Sequence, residues 1–468
     1  MPAPPRVLPP QNRVSQASAR NGARVRRASH PSPVTGVKKC TASNTLPLVN
    51  VSAKPLENMP FRTTLPLLGF FVALTAFACS TETTSSNSGS SGVGTGGAAC
   101  TTNDQCTAGK ETCDTAIGKC VEASTGTEIG SGDGSPASVT FTEVYTASKR
   151  AELVDLAFAE KDPTQMWVIG YGDNSVHVGT GVTAESNGTW KEYLDPAAGH
   201  FMHKPPAFEM GADGFWGVCG DNDNSQNDPR REPNYFMGPA LFTTDLDVFA
   251  KQNPEAGLGL GSHYDMLHNT SMCRGIAHEE ANIYWTFNGQ LGAIEKNNFN
   301  ENHGAGFDDH SDGEIYRYVE GQVKGVEGVS SHLFFDASDK MLYIADTGNQ
   351  RIAKLDTTTG KLDGRLPLRN EPLKKSGIMK GATVEDVVPA GTLEQPSGIE
   401  VKNDLIYVTD TATATFHVFD KTGKEIRRLE TGLTAGALSG FTFGSDGKIY
   451  FTDRNRGKVL RIDPIAAE

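Results

Sequence analysis

Histidines that could bind a metal concentrate in the middle of this 468-residue chain. Eight of the eleven histidines fall between positions 200 and 332, in segments that are long and polar. Imidazole is a common ligand of zinc and copper, and long polar segments between strands are often functional. The eight are His200, His203, His263, His268, His278, His303, His310 and His332.

One polar segment, HGAGFDDHSDGE, combines two histidines with several carboxylates. If these side chains turned inward they would bind Ca²⁺ or a transition metal, although their spacing is not that of an EF-hand. A hydrogen-bonded turn rich in solvated acids is the alternative interpretation. The candidate ligands are His303, Asp308, Asp309, His310 and Asp312. The segment DNDNSQND, at positions 221–228, is a further candidate for oxygen ligands.

Motifs of several enzyme classes are absent from the sequence. It contains no P-loop, no dinucleotide fingerprint between a strand and a helix, and no G-x-S-x-G, H-E-x-x-H or C-x-x-C-H. This argues against the nucleotide-binding, serine hydrolase, zincin and c-type haem classes. The formal net charge of −13 argues against nucleic-acid binding, because that affinity comes from Lys and Arg neutralising phosphates.

The elements that must position these residues are short β-strands. From Val139 onward a unit of apolar strands and polar turns recurs six times. Its copies span 154–178, 205–221, 274–296, 330–361, 396–424 and 438–464. A repeat of about 40–65 residues with about four strands is typical of a β-propeller. We expect the extra strands VTFTEVY, EIYRYVEG and EIRRLE to be the innermost strands of their blades.

The segment LYIADTGNQRIAKLD, at positions 342–356, resembles the NHL repeat. Residues 139–468 as a whole resemble a six-bladed NHL-type propeller, strongly in the last three units and loosely in the first three. The resemblance implies an all-β fold. It does not imply one function, because propellers include binding proteins as well as enzymes.

Strand direction places three histidines on one face of the expected propeller. His203, His268 and His332 precede the second strands of blades two, three and four, so we expect them to form a metal site near the axis. NHL-type propellers include the peptide-amidating lyases, which hold a metal with axial histidines. Here the offsets from the strands differ between blades, and the other catalytic residues of that family have no match. The alternative is three unrelated loop histidines. Segment 303–312 should lie between blades, on the opposite face.

Two cysteines should join neighbouring blades. Cys219 ends a strand of blade two and Cys273 begins a strand of blade three, and both should lie on the same face. In an oxidising compartment we expect them to form a disulfide. A copper-like site that also includes His268 and Met272 is the alternative.

The N-terminal region predicts export. Residues 59–78 have the features of a signal peptide, with an apolar stretch, LPLLGFFVALTAFA, that is short for a bilayer span. The small residues before Cys79 resemble a bacterial lipoprotein signal, in which that cysteine is lipidated, although they depart from the usual pattern. Plain secretion is the alternative. We expect residues 1–58 to be a basic, disordered leader, explained by a misassigned start codon or by a genuine extension.

A tether, a small module and a linker should separate the lipid anchor from the propeller. Residues 79–99 are rich in Ser, Thr and Gly and would form a flexible coil, and residues 122–138 would be the linker. Residues 100–121 carry four cysteines, for which we expect two disulfides, with a zinc site as the alternative. These are Cys100, Cys106, Cys113 and Cys120. The first 78 residues carry +9, which leaves −22 for the exported part, a balance compatible with bound cations.

Two functions remain open from the sequence. The first is a monomeric propeller at the bacterial cell envelope or outside the cell, held at the outer membrane by its lipid alone. It would bind a protein, glycan or small molecule through its long-loop face. The second is a metal-dependent extracytoplasmic lyase, hydrolase or oxidase with calcium, zinc or copper, supported by analogy with lactonases and strictosidine synthase, which are also six-bladed propellers.

Overall fold

The computed structural model describes residues 98–100, 105, 111–114, 119–122, 125–148, 150–223, 236–256, 259–307, 309–368 and 371–465. These residues belong to one compact unit, residues 90–468. The predicted all-β, six-bladed propeller is confirmed. In this described part of the chain, no helix has the length and apolar character needed to cross a membrane.

Four strands come before the first complete blade along the chain. They are β1 (Glu111–Asp114), β2 (Lys119–Glu122), β3 (Asp133–Gly134) and β4 (Val139–Thr146). Blades one and two contain β5 (Leu153–Ala159), β6 (Asp162–Gly170), β7 (Val176–Val182), β8 (Asn187–Tyr193), β9 (Phe208–Met210), β10 (Phe215–Val218), β11 (Ala240–Thr243) and β12 (Asp265–Met266). The short helix α1 (Ala198–Phe201) connects these two blades.

The remaining blades follow the same antiparallel order. Blades three and four contain β13 (Cys273–Glu280), β14 (Ile283–Asn288), β15 (Ala293–Asn298), β16 (Glu314–Tyr318), β17 (Leu333–Asp336), β18 (Met341–Asp346), β19 (Arg351–Asp356) and β22 (Val384–Val388). The hairpin β20 (Lys361–Leu362) and β21 (Lys375–Lys380) is an insertion into blade four. Blades five and six contain β23 (Pro396–Lys402), β24 (Leu405–Asp410), β25 (Thr415–Asp420), β26 (Glu425–Glu430), β27 (Leu438–Phe443), β28 (Ile449–Asp453) and β29 (Lys458–Pro464).

The first strand of each blade lies next to the axis, and neighbouring first strands contact one another around the whole ring. The prediction that the extra strands are innermost was therefore wrong. Strands β4, β16 and β26 each pair with the third strand of a blade, on the side away from the axis. The outer position of β26 agrees with its exposure, because most of its side chains are exposed to solvent. Without an extra inner strand, the strands predicted to be second in their blades are the first. His203, His268 and His332 therefore precede the first strands of blades two, three and four.

Large aromatic side chains in the second strands fill the space between blades. Such side chains bury the most apolar surface per residue and dominate core energetics. In blade two the fully buried ring belongs to Trp216, whereas the neighbouring Phe215 is only partly buried. The buried rings of the other blades are Trp167, Tyr284, Tyr343, Tyr407 and Tyr450.

Glycines let the innermost strands approach one another near the axis. A Cβ at Gly275 would lie 1.7 Å from the carbonyl oxygen of Ser331, just before the next inner strand, β17. A Cβ at Gly398 would lie 2.8 Å from the carbonyl oxygen of Ser439. Contacts this short exclude any larger residue unless the backbone moves, so the central packing depends on these glycines.

The predicted Cys219–Cys273 disulfide is confirmed, with 5.1 Å between the two Cα atoms. It joins the end of the second strand of blade two to the start of the first strand of blade three. Cys100 and Cys120 are also disulfide-bonded. Cys79 and Cys106 lie outside the described residues, so lipidation and the pairing of the four cysteines stay predictions.

Two segments add strands to the outer edges of blades. Strand β21 of the insertion pairs parallel with β16, the fourth strand of blade three. Strand β3 pairs parallel with β26, and the guanidinium of Arg427 donates to the carbonyl of Gly130 over 3.2 Å. Part of the predicted linker, residues 125–138, therefore packs against the outer strand of blade five.

The N-terminal strand β4 closes the ring by pairing antiparallel with β29 in blade six. We expect a chain that starts at residue 150 to lose its cooperative thermal transition, because β29 would be left with an unpaired edge. Circular dichroism during heating measures this. A chain that starts at residue 125 keeps β4 and serves as the control. Equal unfolding midpoints for the two truncations would contradict the closing role of β4.

Candidate functional site

Three ionisable side chains meet at the outer wall of the propeller between blades two and three. We call His268, His310 and Glu371 the rim site. Nδ1 of His268 lies 2.7 Å from Oε2 of Glu371, and Nδ1 of His310 lies 2.9 Å from Oε1 of the same carboxylate. The two imidazole rings are 4.8 Å apart between centroids. All the ligand atoms lie within 4.8 Å of one another, a geometry that suits one metal ion.

Three different parts of the fold supply these side chains. His268 follows β12, the outermost strand of blade two, and His310 begins a short 3-10 turn between β15 and β16. Glu371 belongs to the insertion, just before β21. Backbone contacts hold these parts together, since Gly306 N donates to the carbonyl of His263 over 2.7 Å. Lys374 N likewise donates to the carbonyl of Gly313, over 3.0 Å.

Burial and charge determine the electrostatics of the rim site. Burial alone would raise the pKa of Glu371, but hydrogen bonds from His268 and His310 more than offset it and leave that pKa below its ordinary value. The ring of Phe236 stacks on His268 with 4.3 Å between centroids. Nε2 of His268 is buried and has no hydrogen-bond partner among the described residues. The carboxylate is therefore held ionised between two imidazoles.

A second group of potential ligands adjoins the rim site. Nε2 of His303 lies 3.2 Å from Oδ1 of Asp312 and 3.9 Å from Oδ2 of Asp265. These three residues also have ligand atoms within 4.8 Å of one another. Asp265 is fully buried on β12, whereas His303 and Asp312 are partly exposed. Two carboxylates and one imidazole form an oxygen-rich set, next to the nitrogen-rich set of the rim site.

The predicted ligands of segment 303–312 are divided between these two groups. His303 and Asp312 meet Asp265, and His310 meets the rim site. The exposed Asp309 instead accepts a hydrogen bond from the backbone N–H of Ser311 over 3.0 Å. Asp308 lies outside the described residues. The segment connects the third and fourth strands of blade three, and so does not lie between blades as expected.

The three histidines predicted to meet at the axis do not form one site in the structure. His268 lies at the rim, and the groups of three or more ligands found among the described residues contain neither His203 nor His332. Burial, followed by the charge of Lys204, lowers the pKa of His203, which follows α1. His332 lies at the axis opposite Asp155. The physical reason is that β12 is the outermost strand of its blade, so the residues that follow it begin at the periphery.

Sequence reasoning missed Glu371 and Asp265. Glu371 lies 103 positions from His268 in the sequence, in an insertion that interrupts the repeat. Asp265 carries no local signal of its own, because one acid beside a histidine is common in polar loops. The sequence does mark the insertion, because residues 357–383 lengthen the repeat of blade four without adding a blade.

The donor sets fit different metals. Two imidazoles and one carboxylate form a common zinc set, with one coordination position left for water or another ligand. The group of Asp265, His303 and Asp312 offers mostly oxygen, which suits calcium or manganese better. Asp312 also accepts the backbone N–H of Glu301 over 3.0 Å, which fixes one of its oxygens.

Comparisons with known proteins show likeness in fold alone. No protein family matches the sequence, and no curated relative does. Virginiamycin B lyase from Staphylococcus aureus aligns with a TM-score of 0.40 at 14% identity, over 70% of this chain and 90% of that chain. An auxiliary nutrient binding protein from Bacteroides ovatus aligns with a TM-score of 0.42 at 13% identity, over 70% of this chain and 76% of that chain. The calcium-binding protein regucalcin from Agrobacterium tumefaciens aligns with a TM-score of 0.39 at 13% identity, over 70% of this chain and 96% of that chain.

The substitution Glu371→Gln tests the rim contacts because it removes charge and keeps size. We expect a loss of about 2 kcal/mol in the free energy of unfolding at pH 7, since hydrogen bonds to a buried charge are lost. The folded pKa of Glu371 is lowered, so its stabilisation is present above the ordinary value of 4.5 and is lost as the pH falls through the folded value. Denaturant unfolding at pH 7 and at more acidic pH measures both effects.

The matched control for this substitution is Glu385→Gln, in the same blade. Glu385 is 70% exposed and lies 3.7 Å from Lys354. A surface pair of this kind contributes little, so we expect almost no change in unfolding. Equal effects of the two substitutions would contradict a stabilising role for the rim carboxylate.

Proposed function

We propose that this protein is an exported, envelope-tethered β-propeller that binds a divalent transition metal at the rim site and uses its loop face to bind a ligand. The observation that carries the proposal is the convergence of His268, His310 and Glu371 from three separate segments. Zinc is the metal that this donor set suits best. The metal would fasten the blade-four insertion and segment 303–312 to blade two.

Burial supports a stabilising metal rather than a catalytic one. The side chains of His268 and His310 are each 10% exposed, and that of Glu371 is 1% exposed. A substrate larger than water would have little access to a metal held there. The ligand would instead bind at the loop face, which we define as the connections that lead into the innermost strands. Its class remains a protein, glycan or small molecule.

A metal-dependent enzyme is the second candidate function. The observation that favours it is that the rim site offers three protein ligands, because catalytic zinc sites have three protein ligands and a water molecule. In that case removal of the metal would abolish turnover without unfolding the propeller. For a stabilising metal, its removal would lower the unfolding temperature. The two effects separate the candidates.

Metal content tests the proposal directly. We expect the purified protein to retain a stoichiometric transition metal through dialysis, and the double variant His268→Ala, His310→Ala to lose it, because only one rim ligand would remain. Elemental analysis by mass spectrometry measures the content, and heating measures the accompanying loss of stability.

The variant His417→Ala is the matched control for metal content. Nδ1 of His417 lies 2.7 Å from Oε1 of Glu425, so this pair has the same local contact as the rim site, but among the described residues it belongs to no group of three ligands. We expect its metal content to equal that of the unmodified protein. Absence of stoichiometric metal from the unmodified protein would refute the proposal.

The lipid anchor is tested by the variant Cys79→Ser. We expect the unmodified protein to incorporate radiolabelled palmitate and to fractionate with membranes, because a lipidated cysteine anchors the chain by its acyl groups. The variant should carry no label and be released. Release of both proteins to the same extent would support plain secretion instead.

A further inference from the structure

A second convergent group of ligands, Asp265, His303 and Asp312, takes no part in the metal site proposed above. Asp265 lies on β12, the outermost strand of blade two. His303 and Asp312 belong to the connection between β15 and β16 of blade three. We call these three residues the bridge site, because they bring together side chains of neighbouring blades. Their ligand atoms all lie within 4.8 Å of one another.

Two backbone hydrogen bonds fix the orientation of the two carboxylates. Oδ1 of Asp265 accepts from the backbone N–H of Met266 over 2.7 Å. Oδ2 of Asp312 accepts from the backbone N–H of Glu301 over 3.0 Å. The other oxygens, Oδ2 of Asp265 and Oδ1 of Asp312, lie 3.9 and 3.2 Å from Nε2 of His303. Each of the three side chains therefore offers one atom to a common point.

These separations match those between ligands of one oxygen-binding cation. Oxygen ligands lie about 2.4 Å from calcium, so two ligands at a right angle are about 3.4 Å apart. The distances of 3.2 and 3.9 Å from His303 lie on either side of that value. The two carboxylate charges would balance the charge of one divalent cation. Waters would fill the remaining positions, as is common for such ions.

Protein hydrogen bonds already hold the connection that carries His303 and Asp312. Nδ2 of Asn253 donates to the carbonyl of Ala305 over 2.8 Å. Nδ2 of Asn300 donates to the carbonyl of Asp312 over 2.7 Å. A cation would thus meet ligands whose backbone is in place, so its binding has little ordering entropy to overcome.

A protonated His303 is the alternative partner for the two carboxylates. An imidazolium between Asp265 and Asp312 would form two ion pairs and would need no metal. In that state Nε2 carries a proton, whereas a histidine that binds a metal must have that nitrogen free. The side chains of His303 and Asp312 are 20% and 24% exposed, so a cation can enter from solvent. The nitrogen therefore distinguishes the two states.

Short strands leave blade two in need of connections to its neighbours. Its first and last strands, β9 and β12, have three and two residues. The four strands of blade five have six or seven residues each. Short strands form few ladder hydrogen bonds, so blade two depends more on contacts outside its own sheet. The Cys219–Cys273 disulfide is one such connection to blade three.

We propose that the bridge site binds a divalent cation of the oxygen-binding class, calcium or manganese, through Asp265, His303 and Asp312. The cation connects β12 of blade two to blade three near the outer wall, in addition to the disulfide. The bridge site and the rim site have no residue in common. Binding at the bridge site therefore does not depend on a metal at the rim site.

The rim variant His268→Ala, His310→Ala is the background for the test, because only one rim ligand remains in it. Titration calorimetry of this variant with manganese and with calcium should show saturable binding, and added cation should raise its unfolding midpoint. The further changes Asp265→Asn and Asp312→Asn should weaken binding about ten-fold or more, because both charged ligands are lost. Asparagine keeps the size and the oxygen that accepts the backbone N–H, so we expect the fold to persist. Absence of saturable binding to the rim variant would overturn the bridge site.

The single variant Asp312→Asn, in the otherwise unmodified protein, is a milder test that spares the buried Asp265. The Asp312 side chain is 24% exposed, so its replacement disturbs the fold little. We expect several-fold weaker manganese binding and an unchanged content of tightly held transition metal. Equal manganese affinities with and without this substitution would contradict the proposal. Loss of transition metal alone from the rim variant would bear on the rim site and not on the bridge site.

The double variant Asp247→Asn, Asp363→Asn, in the same rim background, is the matched control. It removes two carboxylates whose side chains are 99% and 63% exposed. We expect it to bind manganese as tightly as the rim variant does. If it weakened binding as much as the bridge substitutions do, the attraction would be a general effect of negative charge, and the bridge site would be refuted.

The role of His303 as a ligand has a spectroscopic signature. Electron spin echo spectra of manganese bound to the rim variant should show modulation by a directly bound nitrogen. The further substitution His303→Gln should remove that modulation and weaken binding. If His303 is instead a protonated partner of the carboxylates, the spectra show no bound nitrogen before the substitution, and the bridge site is wrong as proposed.

Discussion

Closure of the ring is the constraint on which the rest of the structure depends. Pairing of β4 with β29 covers the edge of β29 and joins the first strand of the propeller sequence to its last. Closure also brings the six inner strands close together, and a Cβ atom at Gly275, Gly398 or Gly440 would lie 2.8 Å or less from an atom of the next inner strand or the residues just before it. Glycine therefore suits this level in blades three, five and six. Asp155 and His332, at the same level in blades one and four, instead face each other across the axis.

The rim and the axis treat buried charge differently. At the rim the Glu371 carboxylate lies between two imidazoles, so its charge is compensated by hydrogen-bond donors and its pKa falls. On the inner strands the carboxyl groups of Asp155, Glu209 and Glu400 have no Lys or Arg ion-pair partner among the described residues, and burial raises their pKa values. Burial of an unpaired charge is costly, so these groups hold their protons at pH values at which an exposed carboxyl group is ionised.

The fold was predictable from the sequence because each repeat carries its own local signals. Alternating strands, buried aromatic residues and polar turns define a blade without any knowledge of its neighbours. The same local logic found the Cys219–Cys273 disulfide, since it depends only on which strand ends share a face. It failed to decide whether an extra strand is added at the axis or at the outer edge, because both positions continue the same antiparallel order.

The candidate sites were harder to predict because they depend on how departures from the repeat pack together. His268 and His310 belong to segments expected on opposite faces, yet their rings are 4.8 Å apart because both segments reach the outer wall. Glu371 joins them through an insertion that pairs with the neighbouring blade. The axial residues are the opposite case, since Asp155 and His332 occupy regular repeat positions. Their contact appears only when blades one and four are seen to be opposite, a relation that follows from having six blades and from no local motif.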